Sequence, residues 1–175
     1  LYRCQNITDI SPLNTNYRVS IKSCQSITTY AKSFRSTRTL QIIEDRPDIV
    51  VNVESCLQLT SLSLSSSMGI TALNISSLRV LSVRGASTLE ALPLNRLQMI
   101  SIISCCNFHS LGNMNHIRSV HLQDLDNITT LTGLGPKNQI ITLVRMNKLE
   151  DISSLKESQV VKIDECLLLF TLNRF

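Results

Sequence analysis

The sequence predicts a mainly β solenoid with little helix, its strands forming a parallel concave sheet, and three observations carry that prediction. A short frame recurs along the chain, its spacing is nearly constant, and each copy holds one strand-sized alternation with no room for a long helix. The frame is apolar-x-apolar-x-x-Z, two residues, then apolar-Thr-x-apolar. It reads VSIKSC-QS-ITTY at Val19–Tyr30, LSLSSS-MG-ITAL at Leu62–Leu73 and VHLQDL-DN-ITTL from Val120. Position Z falls at Cys4, Cys24, Asp45, Ser67, Ala86, Cys105, Leu125, Met146 and Cys166, so successive copies differ by 20, 21, 22, 19, 19, 20, 21 and 20 in numbering. The chain therefore divides into about nine repeats, each 19–22 long.

Each element follows from the frame. The opening CQNITDI is a repeat without its strand. Strands are then expected at Val19–Ile21, Leu40–Ile42, Leu62–Leu64, Leu81–Val83, Ile100–Ile102, Val120–Leu122, Ile141–Leu143 and Val161–Ile163, where side chains point alternately inward and outward. The third copy, LQIIEDRPDIVV, contains Pro47 and an extra residue before Ile49, which predicts a distorted loop. Subtracting a strand and its turns leaves about a dozen residues for the return path, so the outer face is expected to hold turns, extended segments and short 3₁₀ pieces. Two of those returns share a word, NITDISPL at Asn6–Leu13 and LEDISSL at Leu149–Leu155. Their Ile7, Ile10, Leu13, Leu149, Ile152 and Leu155 are expected to face the core.

The frame resembles the leucine-rich-repeat family, most fully in LQLTSLSLSSS (Leu57, Leu59, Leu62, Leu64) and SLRVLSVRGA (Leu78, Leu81, Val83). The resemblance covers essentially the whole chain. Cys-x-x-Ile-Thr-Asp is similar to the cysteine-type variant, and ITDISPL resembles the short repeats of bacterial internalins. The combined Cys-x-x-Ile-Thr-Asp-x-Ser-Pro-Leu also resembles leucine-rich-repeat proteins of trypanosomatid protozoa. The ladder position departs from the family in never being Asn, and one extra residue precedes Ile-Thr. The resemblance implies a binding surface on the sheet and ladder cysteines that bury their thiols against neighbouring backbone.

Composition narrows the function. Apolar residues make up 43% of the chain, as in globular proteins, and its purely apolar runs, such as Leu167–Phe170, are far too short for a membrane helix. Aromatics are only 4%, with no Trp and few Gly or Pro, which disfavours a turn-rich β sandwich. The chain opens on Leu1 without a leader, and neither terminus shows a polar cap. Residues 1–175 are thus expected to form a single domain from a longer chain.

Six cysteines raise disulfide, metal and nucleophile readings. Cys4, Cys24, Cys105 and Cys166 share position Z, which favours buried filler thiols, while a Cys4 to Cys24 bridge between adjacent repeats stays open. Cys105-Cys106-x-x-His109 offers half a zinc site without a second ligand pair, and Cys105 as a nucleophile would have to leave the core. No metal or cofactor is expected. Ladder thiols favour an intracellular compartment. Sequons at Asn6, Asn74 and Asn127 support an extracellular or cell-surface alternative, although Asn6 and Asn127 fall in one repeat slot and the repeat itself generates them.

Candidate binding residues come from the strand frame. The outward-pointing columns place Val80, Met99, Ile103, Ile140, Val144 and Val160 beside the polar His121 and Gln123 on the concave face. Grouped exposed apolar residues mark an interaction patch. A second candidate is basic: residues 1–40 carry Arg3, Arg18, Lys22, Lys32, Arg35 and Arg38 against Asp9 alone, so the whole net charge of +4 is N-terminal. From that group Arg18, Lys22, Lys32, Arg35 and Arg38 form the candidate basic patch. Without an aromatic stacking platform it argues against nucleic acid.

No phosphate loop, nucleophile elbow or carboxylate pair is present, and His109, His116 and His121 stand apart, so no enzyme is expected. The expected function is a non-catalytic protein-protein interaction scaffold that binds a macromolecular partner, alone or within a larger complex, through the concave sheet. The alternatives are a secreted or cell-surface adhesion domain and the substrate-recognition arm of a larger enzyme such as a ubiquitin ligase.

Overall fold

Alternating apolar and small polar residues set where the chain extends, and the spacing of the repeat sets how it stacks. The computed structural model describes residues 1–27, 34–44, 46, 50–53, 56–65, 69–71, 75–86 and 96–167. Its strands are β1 (Arg18–Lys22), β2 (Thr39–Ile43), β3 (Val50–Asn52), β4 (Ser61–Ser65), β5 (Gly69–Thr71), β6 (Val80–Arg84), β7 (Met99–Ile103), β8 (Ser119–Gln123), β9 (Ile140–Val144) and β10 (Val160–Asp164). Eight of them form one parallel sheet in the order β1-β2-β4-β6-β7-β8-β9-β10, while β3 and β5 pair separately. Stacking in chain order makes the molecule a parallel β solenoid with almost no helix.

Register places equivalent residues side by side. Val19, Leu40, Leu62, Leu81, Ile100, Val120, Ile141 and Val161 are partners along one column, and Ile21, Ile42, Leu64, Val83, Ile102, Leu122, Leu143 and Ile163 along another. Shifting any strand by one residue would expose its apolar set, so the pattern itself holds the register. Both columns are buried until the last strand, where Val161 is 38% exposed.

A turn not foreseen from the pattern ends the strands. Arg3, Ser23, Gly85, Ser104, Asp124, Arg145 and Glu165, each one residue before position Z, have φ between 49° and 71°. For a non-glycine residue this left-handed geometry costs about 1–2 kcal/mol. It swings the next side chain into the core, where Cys24, Cys105, Leu125, Met146 and Cys166 are fully buried. It also keeps the hydrogen-bond ladder running, as when Ser104 N–H donates to Gln123 O at 2.9 Å and Arg145 N–H to Asp164 O at 2.9 Å. The signal was visible in the sequence: this position is polar or glycine throughout and never β-branched.

The third repeat solves the same problem differently. Glu44 lacks the positive φ, lies 1% exposed, and accepts the N–H of Cys24 on its carboxylate at 2.8 Å. The inward ladder group observed there is Glu44, whereas the frame assigned Asp45, which together with Pro47 and Ile49 lies outside the described residues.

The shared DIS word builds the outer corners. Ser11 donates its N–H and hydroxyl to the Asp9 carboxylate at 2.8 and 2.9 Å, and Ser153 does the same to Asp151 at the same two distances. Each bond pair starts a 3₁₀ turn, Ser11–Thr15 and Ser153–Leu155. Those hydrogen bonds hold both carboxyls below the ordinary carboxylate range. Ile10, Leu149 and Leu155 are buried as expected, while Ile7, Leu13 and Ile152 are partly buried against the same core.

Candidate functional site

Alternation sends the first, third and fifth residues of each strand to the outward face of the sheet, and parallel register turns them into columns. The first column reads Arg18, Thr39, Ser61, Val80, Met99, Ser119, Ile140 and Val160. Met99, Ile140 and Val160 are 48%, 45% and 43% exposed. Val80, Ile103, His121, Gln123 and Val144 are only half-buried, so the candidate patch narrows to one side of the sheet. Column neighbours explain the difference. Ser119 stands between Met99 and Ile140 and is too small to cover them, whereas the longer Gln123 stands between Ile103 and Val144.

The middle column, Ser20, Gln41, Ser63, Ser82, Ser101, His121, Thr142 and Lys162, is polar, and Ser20 donates its hydroxyl to Gln41 Oε1 at 2.9 Å. His109 and His116 lie on the returns, apart from His121. Ser101 and His121 are register neighbours in this column.

The thiols point into the solenoid and act as spacers between rungs. Cys24 Sγ accepts Cys4 N–H at 3.4 Å and donates to Lys22 O at 3.4 Å. Cys166 repeats the arrangement with Met146 N–H at 3.4 Å and Asp164 O at 3.5 Å. Cys4 and Cys24 meet through a hydrogen bond rather than a bridge. Burial pushes the Cys105 thiol above its ordinary pKa, which suppresses the thiolate that metal binding or nucleophilic attack requires. Cys106 is exposed, and His109 bonds Asn107 O at 2.9 Å. Among the described residues no three His, Cys, Asp or Glu side chains cluster at metal-binding distance.

Among the described residues, the N-terminal basic group is shared between the two ends of the strands. Arg18 and Lys22 are exposed at opposite ends of β1, and Lys32 lies outside the described residues. Arg3 and Lys22 lean on the Tyr2 ring at 5.1 and 5.6 Å, whereas Arg38 stacks on Tyr17 at 5.2 Å beyond the strand's other end. Because each repeat runs the same way, side chains sort by which end of a strand they occupy, not by where they fall in the chain.

That sorting brings together residues the sequence reading missed. The position just before each strand reads Tyr17, Arg38, Thr60, Arg79, Gln98, Arg118, Gln139 and Gln159. It borders the exposed apolar column and contains no acid. A shallow cavity opens there between His116, Arg118, Pro136, Lys137, Gln139 and Gln159. Extending the repeat alignment by one column would have shown it.

The sequons separate in the same way. Asn6 is exposed, and Asn127, also exposed, donates its side-chain amide to Cys106 O of the preceding rung. Asn74 lies outside the described residues. No helix among the described residues is long and apolar enough to cross a membrane. No family model, curated protein or solved structure matches the chain.

Proposed function

We propose that this chain is a non-catalytic protein-binding scaffold of the leucine-rich-repeat type, built from about nine short repeats, that takes its partner on the concave sheet. The observation that carries the reading is the aligned exposure of Met99, Ile140 and Val160 on one edge of that sheet. Three exposed apolar side chains kept in one column beside the polar middle column suit burial by another molecule. The short repeat and the inward thiols of Cys24, Cys105 and Cys166 support the cysteine-type repeat assignment. The unbridged ladder thiols of Cys4, Cys24, Cys105 and Cys166 support an intracellular setting.

The test is a double substitution, Met99→Asp with Ile140→Asp, in the full-length protein used as bait. Partners enriched by wild type and identified by mass spectrometry should be lost by the variant, with the far-UV spectrum and melting temperature retained. Equal recovery of the same partners by a folded variant would remove the concave edge as the binding surface. The secreted alternative rests on exposed Asn6, and glycan mass on that residue in protein made by secretory cells would favour it.

A further inference from the structure

The apolar edge does not stand alone, and the charge beside it specifies what kind of protein segment it suits. In the few residues that lead into each strand, the described cations are Arg35, Arg38, Arg79, Arg96, Arg118 and Lys137, joined by Lys156 beside the single acid, Glu157. Across the sheet, in the residues that leave the strands, Glu44, Asp124, Asp126 and Glu165 mix with Arg3, Arg46, Arg145 and Lys148. The protein is therefore polarised from one side of the strands to the other, a separation that the linear sequence hides.

Three of these arginines are evenly spaced. Arg38, Arg79 and Arg118 occupy alternate rungs, with Thr60 and Gln98 between them, and the backbone holds the row through Thr60 N–H to Arg38 O at 2.9 Å, Arg79 N–H to Thr60 O at 2.9 Å, Gln98 N–H to Arg79 O at 2.8 Å and Arg118 N–H to Gln98 O at 3.0 Å. Parallel strands stack about 4.8 Å apart, so the backbone positions that carry these arginines recur roughly every 10 Å. None forms an ion pair among the described residues. Among the described residues Arg79 bonds the carbonyl oxygens of Ser76, Leu78 and Arg96, and Arg38 stacks on Tyr17. The ion pairs of Arg145 with Asp124 and Glu165 lie on the other rim.

Building on the protein-binding reading, we propose that the partner docks an acidic, partly apolar stretch of protein chain along this rim. Its carboxylates meet Arg38, Arg79 and Arg118, and its apolar side chains cover Met99, Ile140 and Val160. Guanidinium forks match carboxylates in two-pronged geometry, and a row of them with a fixed period favours a segment that runs across the rungs. A nucleic acid would satisfy the arginines but offers no aliphatic side chains for the adjoining column, and this rim provides no row of aromatic rings for its bases.

The experiment measures binding of the full chain to a fluorescent synthetic peptide alternating Glu and Leu, to its Lys-Leu counterpart and to oligo-dT, at low and physiological salt. The Glu-Leu peptide should bind, weaken as salt rises, and outcompete oligo-dT. Arg79→Glu with Arg118→Glu should reduce its affinity about tenfold or more, from lost pairs and new repulsion. Lys148→Glu, on the opposite rim, should leave it unchanged. If Met99→Asp with Ile140→Asp abolishes binding while the arginine reversals do nothing, the concave reading stands and the acidic-segment proposal falls. Tighter binding of oligo-dT overturns the partner class, and failure of the Glu-Leu peptide to bind overturns the proposal outright.

Discussion

The two ends of the strands have been given opposite tasks. Where strands end, polar atoms are consumed internally: the chain accepts left-handed turns, buries thiols between rungs, and closes Asp124 and Arg145 into a two-pronged pair at 2.6 and 2.7 Å. Where strands begin, buried polar groups are likewise satisfied, but the charged side chains are left to solvent. Asn138, fully buried, donates to Met114 O at 2.9 Å and accepts Gly135 N–H at 2.7 Å, while Arg118 and Lys137 beside it are exposed. The difference teaches that one rim holds the solenoid together and the other is available for recognition.

Three changes probe that contrast, from the largest effect to the smallest. Asn138→Leu strips the partners from buried backbone groups of two neighbouring turns and should cost about 3 kcal/mol of unfolding free energy, read by urea titration. A loss no greater than that of a surface substitution would show that this bracket carries little of the stability. At the other rim, Ser104→Val forces a β-branched residue into positive φ and should cost about 1–2 kcal/mol, whereas Ser104→Gly should be neutral or stabilising. Equal stability of the Val and Gly variants would mean that the turn relaxes to another geometry.

The third change is smaller and depends on pH. The Arg145 guanidinium, with help from Gln123 and Ser104, holds the Asp124 carboxyl below its ordinary range. A depressed folded pKa contributes stability above the unfolded carboxylate value, about 3.9, and loses it as pH falls through the folded one. Arg145→Ala should therefore lower the melting temperature slightly at neutral pH and not at all once Asp124 is protonated in both states. A pH-independent difference would assign the effect of Arg145 to packing.

Much of the solenoid was legible because a strand's period of two and a short, nearly constant repeat leave little freedom. Val19 through Val161 could be aligned on paper, and their pairing follows. The concave columns came with them, but exposure did not. Whether Met99 or Ile103 stays open depends on the size of the residue on the next rung, Ser119 or Gln123. The Glu44 ladder group was missed because the frame assigns the inward position one residue later, to Asp45, and only a buried N–H in need of an acceptor reveals the substitution.

By itself, then, the sequence determined the strands of the eight-stranded sheet, their order and their inward faces, since burying one apolar stripe per repeat permits a single register, whereas the β3–β5 pair was not foreseen. Charge placement was decided by the tertiary structure. Arg38, Arg79 and Arg118 lie far apart in the chain, yet stacking sets them two rungs apart on one rim, away from the Asp124–Arg145 pair. Electrostatic interaction follows distance in space, and only the coiling of the chain converts a repeat position into a neighbour.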